Sequence, residues 1–171
     1  MNALGSSLRR VKLILPALTE ATNPYWRPIK YSLFPPLGLA TLAAYLDPDL
    51  EISLEDEHVQ AVNLNDEPDL VLIQVYITNA WRAYEIAGHY RKRGAYVALG
   101  GLHVTSLPDE AALHADTIFL GPGEDTFPQF LEDLRAGSPR RRYESTTRTL
   151  DGLPPIRRDL IQRHRYLVPN S

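Results

Sequence analysis

Residues 95–126 run Ala95-Tyr96-Val97-Ala98-Leu99-Gly100-Gly101-Leu102-His103-Val104-Thr105, then a short segment of helical character, then Thr117-Ile118-Phe119-Leu120-Gly121-Pro122-Gly123-Glu124-Asp125-Thr126. Twice a short apolar run delivers the backbone into a glycine turn, and each turn is followed by polar residues and a helix start. In an open parallel sheet, ligands bind in the crevice outside the carboxyl ends of the strands. Glycine lets the backbone approach a ligand with no side chain in the way. The two turns are therefore expected to form neighbouring edges of one binding crevice, with Gly100, Gly101, Gly121 and Gly123 lining it.

The same alternation extends outward in both directions. Val11 to Leu15 reads as a first strand, closed by Pro16. A polar and aromatic loop containing Tyr25, Trp26, Arg27 and Tyr31 follows, from Ala17 to Phe34, and a loop of this length is usually functional or mobile. Pro35-Pro36-Leu37 opens a helix, proline being tolerated in the first turn. Leu39, Leu42, Ala43 and Leu46 continue it at helical spacing until Asp47-Pro48. Glu51 to Leu54 is a second strand. Leu70 to Val75 is a continuous apolar run interrupted only by Gln74, as expected for a strand covered on both faces. Thr78 or Asn79 caps the next helix, whose Trp81, Tyr84 and Tyr90 read as packing residues, and Gly94 ends it. A short helix begins near Asp109, and a last one runs from about Asp125 to Gly137. Strands alternating with helices imply βαβ units. The expectation is an α/β fold, a flavodoxin-like (Rossmann-like) doubly wound parallel sheet of five strands over residues 1–137. Residues 138–171, rich in arginine and interrupted by Pro154-Pro155, are expected as an irregular tail or linker.

The 171 residues carry a net charge of −3, which gives no electrostatic reason to expect a nucleic-acid partner. The chain has no cysteine, so it can form neither a disulfide nor a thiolate-bound iron–sulfur cluster. No apolar run is long enough to span a bilayer, and a cytoplasmic location is expected. There is no phosphate-binding lysine loop, no dinucleotide-binding glycine fingerprint after the first strand, no nucleophile elbow and no zinc-protease helix.

Glu55-Asp56-Glu57-His58 lies in the same row of loops as the glycine turns. It reads either as a solvated turn whose carboxylates cap nearby backbone groups, or as a polar contact to a ligand's ribose, amide or hydroxyl groups. His103 either faces the crevice or hydrogen-bonds its own turn. Glu124 either contacts a ligand or simply suits the helix N-terminus. No residue is assigned a catalytic or metal-ligating role.

Taken in order, Pro35-Pro36-Leu37-Gly38-Leu39-Ala40, Leu70 to Val75 with Thr78-Asn79, Gly100 to Thr105 and Gly121-Pro122-Gly123-Glu124 resemble the N-terminal cobalamin (B12)-binding domain of B12-dependent radical S-adenosylmethionine proteins. Leu150-Asp151-Gly152-Leu153-Pro154-Pro155 with Arg158-Asp159-Leu160 extends the resemblance into the tail. The resemblance implies a corrinoid cofactor whose nucleotide tail enters the sheet and whose ring lies across the strand ends. Tyr76, Ile77 and Thr78 would line the tail or ring edge, with Asn79, His103 and Glu124 as further contacts. Gly100 and Gly101 would let the tail pass, Gly121 and Gly123 would complete the crevice, and Pro36 and Leu37 would cover the ring. Two departures stand out. The Asp-x-His-x-x-Gly cobalt-ligand motif belongs after the first strand, where this chain has Pro16-Ala17-Leu18. Asp56-Glu57-His58 copies its first half one strand too late, with Ala61 in place of the glycine. The cysteine motif that would hold an iron–sulfur cluster is absent, so the cluster and S-adenosylmethionine are expected in a radical SAM barrel beyond this chain, which would be the domain's partner. Two other readings use the same fold: a docking or gating domain without corrinoid, and a stand-alone small-molecule enzyme relying on Glu55, Asp56, His58 and His103.

Overall fold

A computed structural model describes residues 8–18, 34–147 and 151–166. Tyr25, Trp26, Arg27 and Tyr31 of the polar and aromatic loop expected after the first strand lie outside the described residues, as do Arg148 and Leu150.

Strand β1 (Arg10–Leu15), β2 (Glu51–Asp56), β3 (Leu70–Gln74), β4 (Tyr96–Gly100), β5 (Thr117–Leu120) and β6 (Arg142–Glu144) form one sheet in the order β2-β1-β3-β4-β5-β6. Every pairing is parallel. The helices are α1 (Leu37–Leu42, continued by a 3-10 turn over Ala43–Tyr45), α2 (Ala80–Lys92), α3 (Leu102–Ser106), α4 (Pro108–Ala112) and α5 (Thr126–Arg135). The first five strands have the flavodoxin-like order.

Strand β3 shows why the sheet is doubly wound. Its residues alternate sides, yet both sides are buried. Leu70 and Leu72 join a core with Leu13, Leu39, Phe119, Phe127 and Phe130 under α1 and α5. Val71 and Ile73 join a second core with Ile14, Ala83, Ile86, Tyr90, Val97, Val104 and Ala111 under α2, α3 and α4. A strand with an apolar residue at nearly every position needs two such covers.

The sheet has six strands where five were expected. The sixth lies in the arginine-rich stretch that was read as a tail. It was hidden because only one of its three side chains is apolar and inward. Arg142 and Glu144 are exposed, as suits an edge strand. Tyr143 between them is buried, stacks on Phe119 at 5.4 Å and donates its hydroxyl to Asp133 at 2.6 Å. That hydroxyl, with Arg140 beside it, holds the Asp133 carboxyl below its ordinary range. The short helix expected near Asp109 is α4, which begins at Pro108, and a further short helix, α3, precedes it across Leu107.

Lys12 is a fully buried cation in β1. Its ammonium lies 2.6 Å from both the Asn63 carbonyl and the Asp66 carboxylate, and 3.1 Å from Glu55. Tyr90 donates its hydroxyl to the same Asn63 carbonyl and to Asp66, each at 2.7 Å. These groups tie the connection between β2 and β3 to the sheet. With two hydrogen-bond acceptors and two carboxylates beside it, the lysine avoids the penalty of an unpaired buried charge.

Gly121 and Gly137 both have positive φ, at 76° and 72°, but their surroundings differ. A Cβ at Gly121 would overlap the Ser145 carbonyl oxygen, whereas one at Gly137 meets open space. Gly137→Ala should cost about 1 kcal/mol, the conformational penalty alone. Gly121→Ala should cost more than about 3 kcal/mol, since it also pushes β6 off β5. Urea denaturation of the two variants checks the ranking.

Candidate cofactor site at the strand ends

The carboxyl ends of β3, β4 and β5 enclose a cavity of about 240 Å³ with α1 and α5 on its open side. Its floor is Leu72, Ile73 and Gln74 of β3 with Ala98 of β4 and Phe119 of β5. Its walls are Gly38, Leu39 and Leu42 of α1, Gly100 and Gly101 after β4, and Gly121, Pro122, Gly123 and Glu124 with Phe127 of α5. Side chains at the glycines would narrow it. A Cβ at Gly123 would reach 3.4 Å from Leu42, and one at Gly100 3.5 Å from Phe119.

Gly101 has a stricter role. With φ at 115° it brings its backbone against Val75, and a Cβ there would lie 2.6 Å from the Val75 carbonyl oxygen. The Val75 N–H donates to the Gly100 carbonyl at 2.7 Å, and the His103 N–H donates to the Val75 carbonyl at 3.2 Å. The exits of β3 and β4 are thus bonded to each other, which keeps the cavity mouth between them in shape.

Five of the twelve expected contact residues line the cavity: Gly100, Gly101, Gly121, Gly123 and Glu124. Pro36 and Leu37 stand at the start of α1, next to the wall residue Gly38. Tyr76, Ile77 and Thr78 lie on the rim and are exposed, Ile77 by 73%. Asn79 is buried and occupied. Its side-chain oxygen accepts the Tyr76 N–H at 2.7 Å, and its amide donates to the Pro16 carbonyl at 2.8 Å.

His103 turns to the other side of the sheet, because α3 begins immediately after Gly101 and packs beside α2 and α4. Its Nε2 lies 3.0 Å from the Tyr84 hydroxyl and 3.1 Å from Glu110. Its Nδ1 is buried without a partner among the described residues. Trp81, expected in the packing, is 72% exposed on the first turn of α2.

The acidic turn after β2 is not solvated at its centre, since Asp56 and Glu57 are buried. Asp56 accepts the His58 N–H at 2.9 Å and faces His58 Nδ1 at 2.8 Å. Glu57 accepts the Ala17 N–H at 3.0 Å and pairs with Arg82 at 2.6 Å. These carboxylates do cap backbone, as one of the two readings had it. β1 separates this turn from the strands that floor the cavity.

Ten of the lining residues were not among the expected contacts, and two of them, Gly38 in the wall and Gln74 in the floor, left a signal in the sequence. Gly38 sits inside a helical pattern, where glycine costs about 1 kcal/mol against alanine and calls for a reason. Gln74 is the one polar residue in the β3 run. Its amide donates to the Tyr76 hydroxyl at 2.8 Å, linking floor to rim. The rim is also negative. Burial, and then Glu124 and Asp125, hold the nearby Tyr45 phenol above its ordinary value.

A doubly wound parallel sheet with a glycine-walled cavity at the carboxyl ends of its central strands defines an α/β ligand-binding module. Residues 31–131 match the B12 binding domain, and the chain belongs to that family. Over 122 residues it is 37% identical to the bacteriochlorophyllide d C-8(2)-methyltransferase of Chlorobaculum tepidum, covering 71% of this chain and 26% of that protein. It is 34% identical over 140 residues to an uncharacterized methyltransferase of Synechocystis sp., covering 78% of this chain and 26% of the relative. The bacteriochlorophyllide d C-12(1)-methyltransferase of Chlorobaculum tepidum is 28% identical over 113 residues, which is 65% of this chain and 25% of that protein. The chain spans about a quarter of the length of these relatives.

Hydrogen bonding from His103, and then from Tyr84, holds the Glu110 carboxyl below its ordinary 4.5, with His114 adding to the effect. A carboxyl lowered by folding stabilises the protein above its unfolded pKa, and that contribution is lost as pH falls through the folded one. Glu110→Gln should therefore lower the melting temperature slightly above about pH 5, and the difference from wild type should close as the buffer is taken further into acid. Melting curves of both proteins across that range check this.

Proposed function

We propose that this domain binds cobalamin as the corrinoid module of a radical SAM enzyme, of methyl-transferring or cyclase-like kind. The observation that carries the reading is the glycine-walled cavity at the strand ends, in a chain of the B12 binding domain family. The residues fit the group in one respect. At about 240 Å³ the cavity is smaller than the roughly 300–1,000 Å³ of sites that enclose a whole small ligand. It suits a flat appendage such as a nucleotide tail, with the macrocycle left outside. Exposed apolar side chains wait there, Ile77 and Leu102 being 73% and 68% exposed.

In this reading Gly38, Gly100, Gly101 and Gly123 admit the tail, Gln74 offers the floor its one polar side chain, and Tyr76, Ile77 and Leu102 support the ring. Neither of the two histidines weighed as contacts lines the cavity, so no cobalt ligand is assigned to this chain. Bound cobalamin supplies the organometallic chemistry, while the protein orients it and keeps water from its tail. The iron–sulfur cluster, S-adenosylmethionine and the barrel that uses them belong to another part of the full-length protein. Supporting this, relatives named as methyltransferases are about four times as long as the part this chain matches.

A second reading, a docking domain that binds no corrinoid, is favoured by the same exposed rim together with Trp81. Titration with hydroxocobalamin separates the two. Substitution at Gly101 would strain the backbone whether or not a ligand binds, so the informative variant is Gly38→Leu. At Gly38 a Cβ has room, 3.7 Å from Gln74, and a longer side chain fills the cavity. Saturable binding weakened by about tenfold or more in Gly38→Leu, with an unchanged circular dichroism spectrum, is expected. No binding by the wild type would favour the docking reading, and equal binding by both would overturn the assignment of the corrinoid to the glycine-walled cavity.

A further inference from the structure

Residues 151–166 cross the face of α1 and end against the exit of β2. The Arg157 N–H donates to the Ala40 carbonyl at 3.1 Å, in the middle of α1. Ile156 and Leu160 pack on the α1–α5 core, and Ile161 and Tyr166 are buried in it. The far end is fastened by Tyr166, whose hydroxyl donates to Asp56 at 3.0 Å. Burial, and then the Asp56 charge, raise the Tyr166 phenol above its ordinary value, so it remains a donor.

Helix α1 depends on outside support. It has only six residues and no side-chain cap at its start, and a helix that short is not stable by itself in water. It also follows no strand end directly, whereas the walls at residues 101 and 121–124 continue from β4 and β5. Gly38, Leu39 and Leu42 line the cavity, while the Ala40 carbonyl is taken by the crossing segment.

We propose that residues 151–166 are a strap that sets α1 against the sheet, with Arg157 N–H to Ala40 as its clasp and Tyr166–Asp56 as its latch. The strap governs how tightly the cavity is walled, and the coupling runs both ways. A ligand that grips α1 must stabilise the strap by the same free energy by which the strap favours the ligand.

The test needs no ligand in its first arm. Arg157 has φ at −73°, which proline accepts, so Arg157→Pro removes the N–H with little strain. Arg157→Ala is the control, losing the ion pair to Asp159 and keeping the N–H. Tyr166→Phe removes the latch. Hydrogen exchange should show amides 37–45 exchanging about fivefold faster in Arg157→Pro and Tyr166→Phe, the effect of one hydrogen bond. β3, β4 and β5 should be unchanged, and Arg157→Ala should behave as wild type. Unchanged protection of α1, or a uniform loss across the sheet, would overturn the strap. The second arm rests on the cobalamin reading. Hydroxocobalamin should slow exchange at residues 156–166 of the wild type. If the wild type binds no hydroxocobalamin, that reading fails while the first arm still decides the strap. If it binds and residues 156–166 are unaffected, the strap's coupling to the cavity is refuted.

Discussion

The exits of β3 and β4 are held together by two backbone hydrogen bonds that only a glycine at position 101 permits. Val75 gives its N–H to Gly100 and receives the N–H of His103, and the chain between must pass where any Cβ would strike the Val75 carbonyl. Much else depends on this contact. It starts α3 one residue past the strand, which sends His103 to the α2 side of the sheet. It leaves Leu102 outside, on the rim. It also frees the opposite side of the strand ends, so that the space between the sheet, α1 and α5 stays open. The cavity is a consequence of backbone geometry before it is a matter of side chains.

The polar groups around the strand ends divide by what they can still do. Asn79, Glu57 and Asp56 are each buried and each engaged with backbone or with a cation. Asn79, through the Pro16 carbonyl, and Glu57, through the Ala17 N–H, occupy the place where β1 and β3 part, which in a sheet of this order is the usual place for a ligand. The open cavity lies on the other side of β3. A ligand there meets glycine backbone, aliphatic and aromatic side chains, one amide and the Glu124 carboxylate.

Strands β1, β4 and β5 were legible because they are short apolar runs ended by glycine or proline. β3 stood out most, since burial on both faces leaves no polar alternation to confuse the pattern. β6 was illegible for the converse reason. One inward tyrosine between two charged residues resembles loop, and only Phe119 and Phe130 waiting beside it make Arg142–Glu144 a strand. The glycine turns of the site were legible because glycine has few other reasons to follow two successive strands. The direction of His103 was not, as it depends on where α3 starts. Trp81 at helical spacing with Tyr84 looked like packing. The packing face of α2 is carried instead by Ala83, Ile86, Ala87 and Tyr90, which leaves the indole outside. Lys12 could not be placed, since its burial depends on acceptors from the connection some 50 residues on.

The segment after residue 137 contributes to the site in a way its composition conceals. Gly121 turns at the cavity edge with the Ser145 carbonyl filling the place of its missing side chain, and its N–H donates to the Thr105 hydroxyl at 2.9 Å. Ser145 in turn gives its hydroxyl to Asp125 at 2.6 Å, just before α5 begins. The turn that carries Gly123 and Glu124 is therefore held from one side by α3 and from the other by the chain leaving β6. On the opposite wall, α1 is held by residues 151–166. Both walls that are not strand ends are thus braced by polypeptide that follows α5. The arginine-rich stretch lacks a core of its own because its few apolar side chains are spent on bracing this one.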